Sequence, residues 1–508
     1  MRRFSTFLFT AAILHGGVVQ GIALEQVSGR PLARTLVRLE PAPQPGGGRL
    51  RTLTVRAGRA GQFEFGGVAP GTYLLTAAKE GYLPAAYGAR VPGGAGTPVE
   101  ITADSHLFAE VRLRHRGALM GRVLDENGVG AAGVGVIAYR ARLPLRSAGN
   151  AISDDRGVFR IAGLSPGKYW VRSAAEKLED GTGWLPTYAT QARESRDARI
   201  FQVNADADAT DIDIGPESGT LFRVGGRITC DIPQALEAVT VVLSSETGRR
   251  RTQTGCASDY RFEDVAPGQY EVFASVNGTD GPHAGYTELY LDHDSDAVNV
   301  QVLQLPIVEM EVRLAGRSTP ADIPVHVIGR RQDLSETEAM RELVGSRMAL
   351  APGHWEFRAE VPAGDFVESI TNLYTAPRRM VRAEPPAEWF DVFIEPHARS
   401  RIRIAVSDQT GQIEGRVTTD GKAVAAMPVF LWPVAEAARR SLGGAVTKMS
   451  DTEGRFRFDS LPQGDYRVVA SFDIAEIDEE MVETSHALPV HVDASQTAAI
   501  DLTPRTAP

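Results

Sequence analysis

A short pattern of residues recurs at intervals of about 100 residues along this 508-residue chain. Each copy contains two apolar residues in alternation, a turn with Pro and Gly, and a tyrosine eight positions after the second apolar residue. Four copies end at Tyr73, Tyr169, Tyr270 and Tyr466, and a weaker copy has Trp355 at the tyrosine position. Self-similarity of this kind predicts one structural unit used several times in succession.

The residues around each copy alternate between apolar and polar, with turn residues about every 8–12 positions, which is typical of half-buried antiparallel strands. Four units also begin with a glycine that opens a short strand; these are Gly21, Gly121, Gly226 and Gly415. A unit of roughly 100 residues with about seven such strands is a β-sandwich. The sequence therefore predicts an all-β fold, a tandem array of about five antiparallel β-sandwich domains of Ig-like type.

We number these units 1 to 5 and place their boundaries at the linkers between the repeated patterns. Unit 1 covers residues 18–115, unit 2 covers 116–217, unit 3 covers 218–305, a divergent unit 4 covers 306–408, and unit 5 covers 409–508. Because the linkers are short, we expect an elongated and only moderately flexible string of domains. Two helices are predicted as insertions, over 335–344, where Ser335 and Glu338 form a capping box, and over 434–442.

The N-terminus has the layout of a secretory signal peptide over residues 1–17. Arg2 and Arg3 precede an apolar run from Phe4 to Leu14, and small residues follow. The run is shorter than the roughly 20 apolar residues of a membrane span, and no later segment reaches that length. We therefore expect an exported protein, in the periplasm, on the cell surface or outside the cell, without a membrane span once the signal is removed.

The chain has two cysteines, Cys230 and Cys256, both in unit 3. In an exported protein an even pair within one domain is a disulfide candidate. The alternative is a pair of reduced, buried thiols. Two cysteines without histidines at suitable spacing cannot supply the four ligands of a structural zinc site.

The full repeated pattern reads G-R-V-x-x-x-x-G, then V-x-L, then D-x-x-G-x-F-x-F-x-x-L-x-P-G-x-Y. Unit 5 matches it best, at these positions: Gly415–Val417, Val429–Leu431, Asp451, Gly454, Phe456, Phe458, Leu461, Gly464 and Tyr466. Unit 2 is nearly as close, whereas in unit 1 Arg59 takes the place of the aspartate. This pattern resembles the carboxypeptidase regulatory-like domain, a transthyretin-like β-sandwich that is grouped with starch-binding-like folds.

The resemblance implies an accessory, stabilising or binding role in an exported protein. Chains made only of tandem copies are similar to secreted bacterial proteins. The pattern is specific to the fold and implies no activity, since functions depend on sites and not on folds.

No arrangement of residues in the sequence supports catalysis. A zinc carboxypeptidase needs His-x-x-Glu and a distant histidine, and none of the ten histidines has a glutamate three positions later. A G-x-S-x-G motif for a serine hydrolase is also missing. Residues 128–133 fit G-x-G-x-x-G, but a strand pattern follows where a nucleotide-binding loop would open a helix. We therefore predict no catalytic residues, no metal and no cofactor.

The charge of the chain argues against nucleic acid as a partner. A net charge of −10 leaves little basic surface for phosphate groups. Acidic clusters at 206–213 and 292–296 occupy the turn that other units build with a single aspartate, so we interpret them as solvated turns. Oxygen ligands for Ca²⁺ are the alternative interpretation.

Aromatic residues recur after the main hairpin of the first three units. Tyr82 and Tyr87 in unit 1, and Trp184 and Tyr188 in unit 2, could stack on sugar rings at an exposed edge. The corresponding stretch of unit 3 is GYTELY, at 285–290. The alternative is that these rings pack against the edge of the sandwich or against the next domain.

These observations together predict an exported, non-enzymatic, multi-domain protein that acts in binding or as a scaffold of the bacterial envelope or exterior. Its partner would be a protein or a polysaccharide that the sequence does not identify. One alternative is a carbohydrate-binding protein that uses exposed aromatic edges. Another is an accessory subunit of an exported hydrolase.

Overall fold

The computed structural model describes residues 16–44, 50–142, 145–178, 182–232, 235, 237–245, 248–317, 319–331, 341–374, 388–396 and 398–506. The signal peptide predicted over residues 1–17 lies outside this part of the chain, except for its last two residues. Gly17 already belongs to the first strand. Among the helices of the described residues, none has the length and apolar character needed to span a membrane.

Unit 1 consists of sheets that enclose a common core. Its strands in the described residues are β1 (Gly17–Glu25), β2 (Leu36–Pro41), β3 (Leu53–Arg56), β4 (Gln62–Val68), β5 (Gly71–Ala78), β6 (Ala85–Ala86), β7 (Val99–Ile101) and β8 (His106–Leu113). One sheet has the order β4-β1-β8 and the other β3-β2-β5-β6, with β7 paired to β5.

Unit 2 repeats this arrangement, whereas the sheets of unit 3 are joined. The strands of unit 2 are β9 (Gly117–Val123), β10 (Gly135–Arg140), β11 (Ser147–Ile152), β12 (Val158–Leu164), β13 (Gly167–Ser173), β14 (Glu176–Lys177), β15 (Gly183–Leu185), β16 (Phe201–Val203) and β17 (Asp208–Ile214). Those that follow are β18 (Glu217–Gly219), β19 (Phe222–Cys230), β20 (Val239–Ser245), β21 (Gly248–Thr254), β22 (Asp259–Val265), β23 (Gly268–Gly278), β24 (Gly281–Leu291) and β25 (Val300–Gln304). Unit 2 has the orders β12-β9-β17 and β11-β10-β13-β16, and unit 3 the order β21-β20-β23-β24-β25-β19-β22.

Units 4 and 5 are again two-sheet sandwiches in their described parts. The strands of unit 4 are β26 (Ile307–Leu314), β27 (His326–Arg331), β28 (Arg341–Leu343), β29 (Arg347–Ala349), β30 (Gly353–Glu360), β31 (Phe366–Asn372), β32 (Phe390–Ile394) and β33 (Ser400–Ser407). Those of unit 5 are β34 (Gly411–Arg416), β35 (Thr418–Thr419), β36 (Lys422–Ala423), β37 (Pro428–Pro433), β38 (Val446–Met449), β39 (Arg455–Leu461), β40 (Gly464–Ala470), β41 (Leu488–Val492) and β42 (Thr497–Ala499). The principal orders are β29-β26-β33-β31 and β28-β27-β30-β32 in unit 4, and β39-β34-β42 and β38-β37-β40-β41 in unit 5.

The first and last strands of every unit pair in parallel. The pairs are β1 with β8, β9 with β17, β19 with β25, β26 with β33, and β34 with β42. The other ladders between these strands are antiparallel, so the predicted all-β sandwich class is confirmed, with one parallel ladder per unit as a difference. Because the chain crosses to the opposite sheet before it returns, its last strand can enter in the same direction as the first.

The apolar residues of each unit gather in a core that draws on that unit alone. The core of unit 1 includes Phe65 and Tyr73, and that of unit 2 includes Ile161 and Tyr169. Corresponding clusters lie in units 3, 4 and 5. The unit boundaries stay predictions. Each of these five core clusters lies within the predicted boundaries of one unit.

The repeated tyrosine closes the turn that precedes it. Its hydroxyl donates a hydrogen bond to the carbonyl oxygen four residues earlier, from Tyr73 to Ala69 at 2.9 Å, Tyr169 to Ser165 at 2.7 Å, Tyr270 to Ala266 at 2.9 Å and Tyr466 to Pro462 at 2.6 Å. The ring fills the core while the hydroxyl satisfies a turn carbonyl, so the tyrosine and the turn stabilise each other.

The aspartate of the pattern organises the hairpin that leads to the tyrosine. Asp154 Oδ1 accepts hydrogen bonds from the backbone N–H groups of Val158 and Arg156, at 2.7 and 3.0 Å. These bonds stabilise the charged carboxylate and lower the pKa of Asp154. Asp451 accepts equivalent bonds in unit 5. The aspartate of the pattern therefore has a role in the turn.

The glycines predicted to open a short strand lie inside the first strand of their units instead, where it passes the last strand closely. We call them the opening glycines. A Cβ atom on Gly121 would lie 1.9 Å from the carbonyl oxygen of Ile212, and one on Gly415 would lie 1.7 Å from that of Ile500. Because any side chain would collide with backbone there, the repeat requires glycine at this position.

Short helices interrupt the strands of unit 5. They are α1 (Glu436–Leu442) and α2 (Glu479–Thr484). The helix predicted over 434–442 is confirmed by α1. Of the helix predicted over 335–344, residues 335–340 (which include Ser335 and Glu338) lie outside the described residues, and 341–343 form strand β28, so that part of the prediction is wrong.

The units do not form the elongated string that the short linkers suggest. Residues 472–487, which include α2 and which we call the acidic segment, bring unit 5 against units 1 and 2. Asp473 lies 3.7 Å from Arg90 of unit 1, and Glu480 pairs with Lys168 of unit 2. A linear string would keep unit 5 away from both units. The chain therefore folds back on itself.

Candidate binding site between units 2 and 3

A cavity of about 420 Å³ lies between units 2 and 3. Unit 2 contributes Arg172, from strand β13, and Tyr188, from the loop after β15. Unit 3 contributes Gln269 and Tyr290, from strands β23 and β24. The volume suits a small ligand, because ligand sites are concave and lined by a few placed polar groups.

The unit 3 wall of the cavity is one face of a long hairpin. In the ladder between β23 and β24, Gln269 lies opposite Tyr290, Glu271 opposite Glu288, and Phe273 opposite Tyr286. Alternate residues of a strand share a face, so these six side chains form a row along the same side of the hairpin.

Unit 4 covers one end of this row. The guanidinium carbon of Arg331 lies 3.6 Å from the centroid of the Phe273 ring, and the ring of Phe393 packs edge-on against Tyr286 with centroids 5.8 Å apart. The opposite end remains open, where Tyr290 is 67% exposed at the cavity. The row therefore passes from a domain junction to a surface that a ligand can reach.

The middle of the row carries two carboxylates, of which Glu271 is buried and Glu288 is half-buried. Glu271 is 3% exposed, and the Tyr286 hydroxyl donates a hydrogen bond of 2.8 Å to Glu288 Oε1. Burial, together with the negative charges of Glu271 and Glu288, raises the pKa of Tyr286 far above its usual range. The tyrosine therefore stays a neutral donor, which is the form that these carboxylates need.

Arg172 and Arg193 are cationic groups of the unit 2 wall, and Arg172 lies against Tyr188. The Arg172 guanidinium carbon lies 5.3 Å from the centroid of the Tyr188 ring. Its Nε atom is buried and has no hydrogen-bond partner among the described residues. An unsatisfied buried donor costs about 1–3 kcal/mol, so this site favours an acceptor from outside the chain.

The aromatic residues predicted in unit 2 are not at an exposed edge. Trp184 is 8% exposed and lies in the core of unit 2. Tyr188 is 2% exposed and packs with Tyr139, Leu145 and Trp170. The interpretation of these two rings as an exposed edge is corrected here, because neither ring leaves a face free for stacking. The alternative interpretation, that the rings pack within the domain, is correct for both Trp184 and Tyr188.

The aromatic residues predicted in unit 1 lie near its junction with unit 2. The Tyr82 ring lies against the His115 ring, with centroids 4.2 Å apart. His115 Nε2 in turn lies 3.2 Å from Glu25 Oε1. Tyr87 is partly buried and packs against the unit 1 core. The structure does not bring these tyrosines together with Trp184 and Tyr188 in one site.

Cys230 and Cys256 meet at the edge of unit 3. Their sulfur atoms are bonded, and their Cα atoms lie 5.5 Å apart, within the usual range for a disulfide. The bond joins the end of β19 to the loop before β22.

The predicted acidic turns engage neighbouring groups. Asp206 Oδ1 accepts a hydrogen bond from the His115 N–H at 2.7 Å, and Asp294 Oδ1 accepts one from the Arg223 N–H at 2.9 Å. Asp296 forms two hydrogen bonds with the Arg223 guanidinium. Within the described residues, no three His, Cys, Asp or Glu side chains come together as a metal site.

Unit 4 contains a buried ionic cluster that was not predicted from the sequence. Glu356, which is 1% exposed, pairs with Arg330 of the same unit and lies 3.4 Å from Arg146 of unit 2. The Arg330 guanidinium carbon also lies 4.0 Å from the centroid of the Trp389 ring. The cluster joins units 2 and 4. The sequence contains a signal for it, because strand β30 has polar residues at positions that are usually apolar in a strand buried on both faces.

The fold and these contacts define a class of protein, a tandem β-sandwich protein whose buried ionisable residues pair at junctions between units. The family model of the carboxypeptidase regulatory-like domain matches residues 18–104. This confirms for unit 1 the resemblance that the sequence pattern indicates.

Relatives of this chain include two proteins of Staphylococcus aureus. Serine-aspartate repeat-containing protein E of strain MSSA476 is 25% identical over 305 residues, which cover 54% of this chain and 26% of that protein. Bone sialoprotein-binding protein of the same species matches with the same identity and coverage. The chain spans about a quarter of the length of these curated relatives.

Two solved structures are also similar. The minor pilin of Streptococcus agalactiae has 13% identity, covers 40% of this chain and 96% of its own, and gives a TM-score of 0.25. The major pilin subunit of Bacillus cereus has 11% identity, covers 77% of this chain and all of its own, and gives a TM-score of 0.16.

Proposed function

We propose that this chain is an exported, non-enzymatic scaffold that presents binding surfaces on the bacterial envelope or outside the cell. The observation that carries the proposal is the use of its buried ionisable groups. Glu356 pairs with Arg330 and contacts Arg146 of unit 2, so it joins units 2 and 4. Tyr286 donates to Glu288 within unit 3, and its ring packs on Phe393 of unit 4. A catalytic site would instead direct such groups towards a substrate.

The similarity to two Staphylococcus aureus proteins supports the binding part of the proposal. One of those relatives is named for binding bone sialoprotein, so a protein partner is one candidate for this chain. The recurring residues of the units support a scaffold as well, because they close turns and fill cores.

The test is to present the purified full chain to a defined set of ligands. The set contains purified extracellular glycoproteins, bone sialoprotein among them, and purified bacterial wall polysaccharides. We expect saturable binding of at least one member, with the bound ligand unchanged in mass. Release of a product at a rate proportional to the concentration of the chain would contradict the proposal.

Carbohydrate binding is a second candidate, and the cavity between units 2 and 3 favours it. An exposed tyrosine ring beside polar groups is a typical surface for a sugar. The supporting residue is Tyr290, and the exposed-edge roles first assigned to Trp184 and Tyr188 are not part of this proposal.

A further inference from the structure

We infer that the cavity between units 2 and 3 binds an acidic sugar, whose carboxylate pairs with Arg172 and whose ring stacks on Tyr290. This inference rests on the proposed binding function and identifies its ligand class. Its first support is that both residues line the same cavity.

The charges around the cavity leave Arg172 as the group that needs a counterion. Arg193 Nε lies 2.6 Å from Glu217 Oε2, and Glu194 Oε2 lies 2.8 Å from Arg196. The Arg172 guanidinium has no ion pair among the described residues, and its Nε lacks a hydrogen-bond partner there.

The remaining carboxylate of the cavity lining is Glu271, and it interacts with Tyr286, a neighbour on the same face of the hairpin. It faces the Tyr286 hydroxyl, and Arg331 lies over Phe273, the next residue on the same face of the hairpin. Among the described residues neither Glu194 nor Glu271 forms an ion pair with Arg172, so its guanidinium can accept a counterion from outside the chain. A carboxylate is its best partner, because a guanidinium and a carboxylate match as a planar, doubly hydrogen-bonded pair.

The exposed ring of Tyr290 indicates that the ligand with this carboxylate is a sugar. The Tyr290 ring is 67% exposed at the rim, and the flat face of a pyranose is the complement of such a ring. Gln269, opposite Tyr290 in the hairpin ladder, can donate and accept hydrogen bonds with sugar hydroxyls. A cavity of about 420 Å³ has room for one or two sugar rings.

The test uses the full chain and titration calorimetry with trimers of galacturonate, glucuronate and mannuronate, each compared with its methyl ester. The ester keeps the ring and removes only the charge. We expect at least one acid trimer to bind about tenfold more tightly than its ester, and the difference to shrink as salt is raised. Binding by none of the acids, or equal binding of acid and ester, would overturn the inference.

Variants separate the two contacts. Arg172→Met should abolish the preference for acid over ester. Tyr290→Ala, an exposed change with little effect on folding, should weaken acid and ester together by about fivefold. Phe108→Ala, which removes an exposed ring in unit 1, is the matched control and should leave binding unchanged.

Two further outcomes would also count against the inference. Unchanged binding in Tyr290→Ala would exclude the stacking contact. A tripeptide with a free C-terminal carboxylate that binds as tightly as the acid trimers would show that the site selects a carboxylate without a sugar. Either result leaves the scaffold proposal intact if the chain still binds a member of the ligand set, whereas turnover of a substrate would contradict that proposal alone.

Discussion

The indole Nε1 of Trp355 donates a hydrogen bond to the carbonyl oxygen of Ala351 at 2.9 Å. Donor and acceptor residues are four positions apart, the same separation as in the tyrosine units. Unit 4 therefore keeps the bond that closes the turn although most of the pattern around it has changed. The equivalence of Trp355 to the tyrosines, predicted from spacing, is confirmed by this contact.

The hydrogen bond of the repeated aromatic residue should contribute measurably to stability. In Tyr466→Phe the ring keeps its packing while the Pro462 carbonyl loses its partner, so we expect a loss of about 1 kcal/mol in the free energy of unfolding. Denaturant unfolding of the full chain would show this as an earlier transition of one unit. Tyr290→Phe, at an exposed residue, is the control and should change nothing. An equal effect in both variants would contradict the role of the bond.

The features that the sequence predicts correctly depend on contacts between near neighbours. The bond from Tyr466 to Pro462 spans four residues, so the spacing of the pattern already contains it. Exposure of an aromatic edge depends instead on which surface packs against it. Trp184 and Tyr188 have the composition of an exposed edge, but packing within their own unit buries both.

The junctions between units could not be predicted from residue patterns. Arg146 and Glu356 lie 210 positions apart, and their contact depends on how units 2 and 4 approach each other. The cavity beside Tyr290 has the same origin, since two separately folded units form its walls. The sequence did single out the stretch that contains Tyr290, but not Arg172 as its neighbour.

The opening glycines should not tolerate a side chain. In Gly121→Ala the new methyl group would meet the Ile212 carbonyl oxygen, so the first and last strands must separate, and we expect a loss of about 3 kcal/mol. Gly66→Ala is the control, because a Cβ at Gly66 would meet open space. Thermal unfolding of both variants checks this, and equal melting temperatures would contradict the close approach of the strands.

Oxidation of the two cysteines should stabilise unit 3. A disulfide between Cys230 and Cys256 closes a loop of 26 residues and should contribute about 2–4 kcal/mol by restricting the unfolded chain. Reduction, or the Cys230→Ala/Cys256→Ala variant, should lower the melting temperature of one transition. Mass measurement after thiol alkylation of the unreduced protein checks the bond itself, and two labelled cysteines would contradict it.

His491 should make the stability of unit 5 depend on pH. Its Nδ1 lies 2.7 Å from Asp465 and its Nε2 lies 3.5 Å from Asp493, and these carboxylates raise the pKa of His491 above its usual value. Folding therefore favours the charged ring. The contribution is complete below about pH 6.5 and is lost as pH rises through the higher folded-state pKa.

The corresponding measurement is the melting temperature of unit 5 across the neutral range. It should fall more steeply with rising pH in the native chain than in His491→Gln. His106→Gln, at an exposed histidine of unit 1, serves as the control. Parallel curves for the native chain and His491→Gln would contradict the prediction.

The acidic segment should hold unit 5 against units 1 and 2 through charge. Lys168 pairs with Glu480, and Asp473 lies 3.7 Å from Arg90. Exposed pairs contribute at most about 1 kcal/mol each and are screened by salt, so we expect the radius of gyration in X-ray scattering to increase with salt concentration. Lys168→Glu should increase it at low salt, and Lys168→Glu/Glu480→Lys should restore it. Arg227→Glu, which breaks an exposed pair inside unit 3, should not change it, and an unchanged radius in Lys168→Glu would show that charge does not hold the units together.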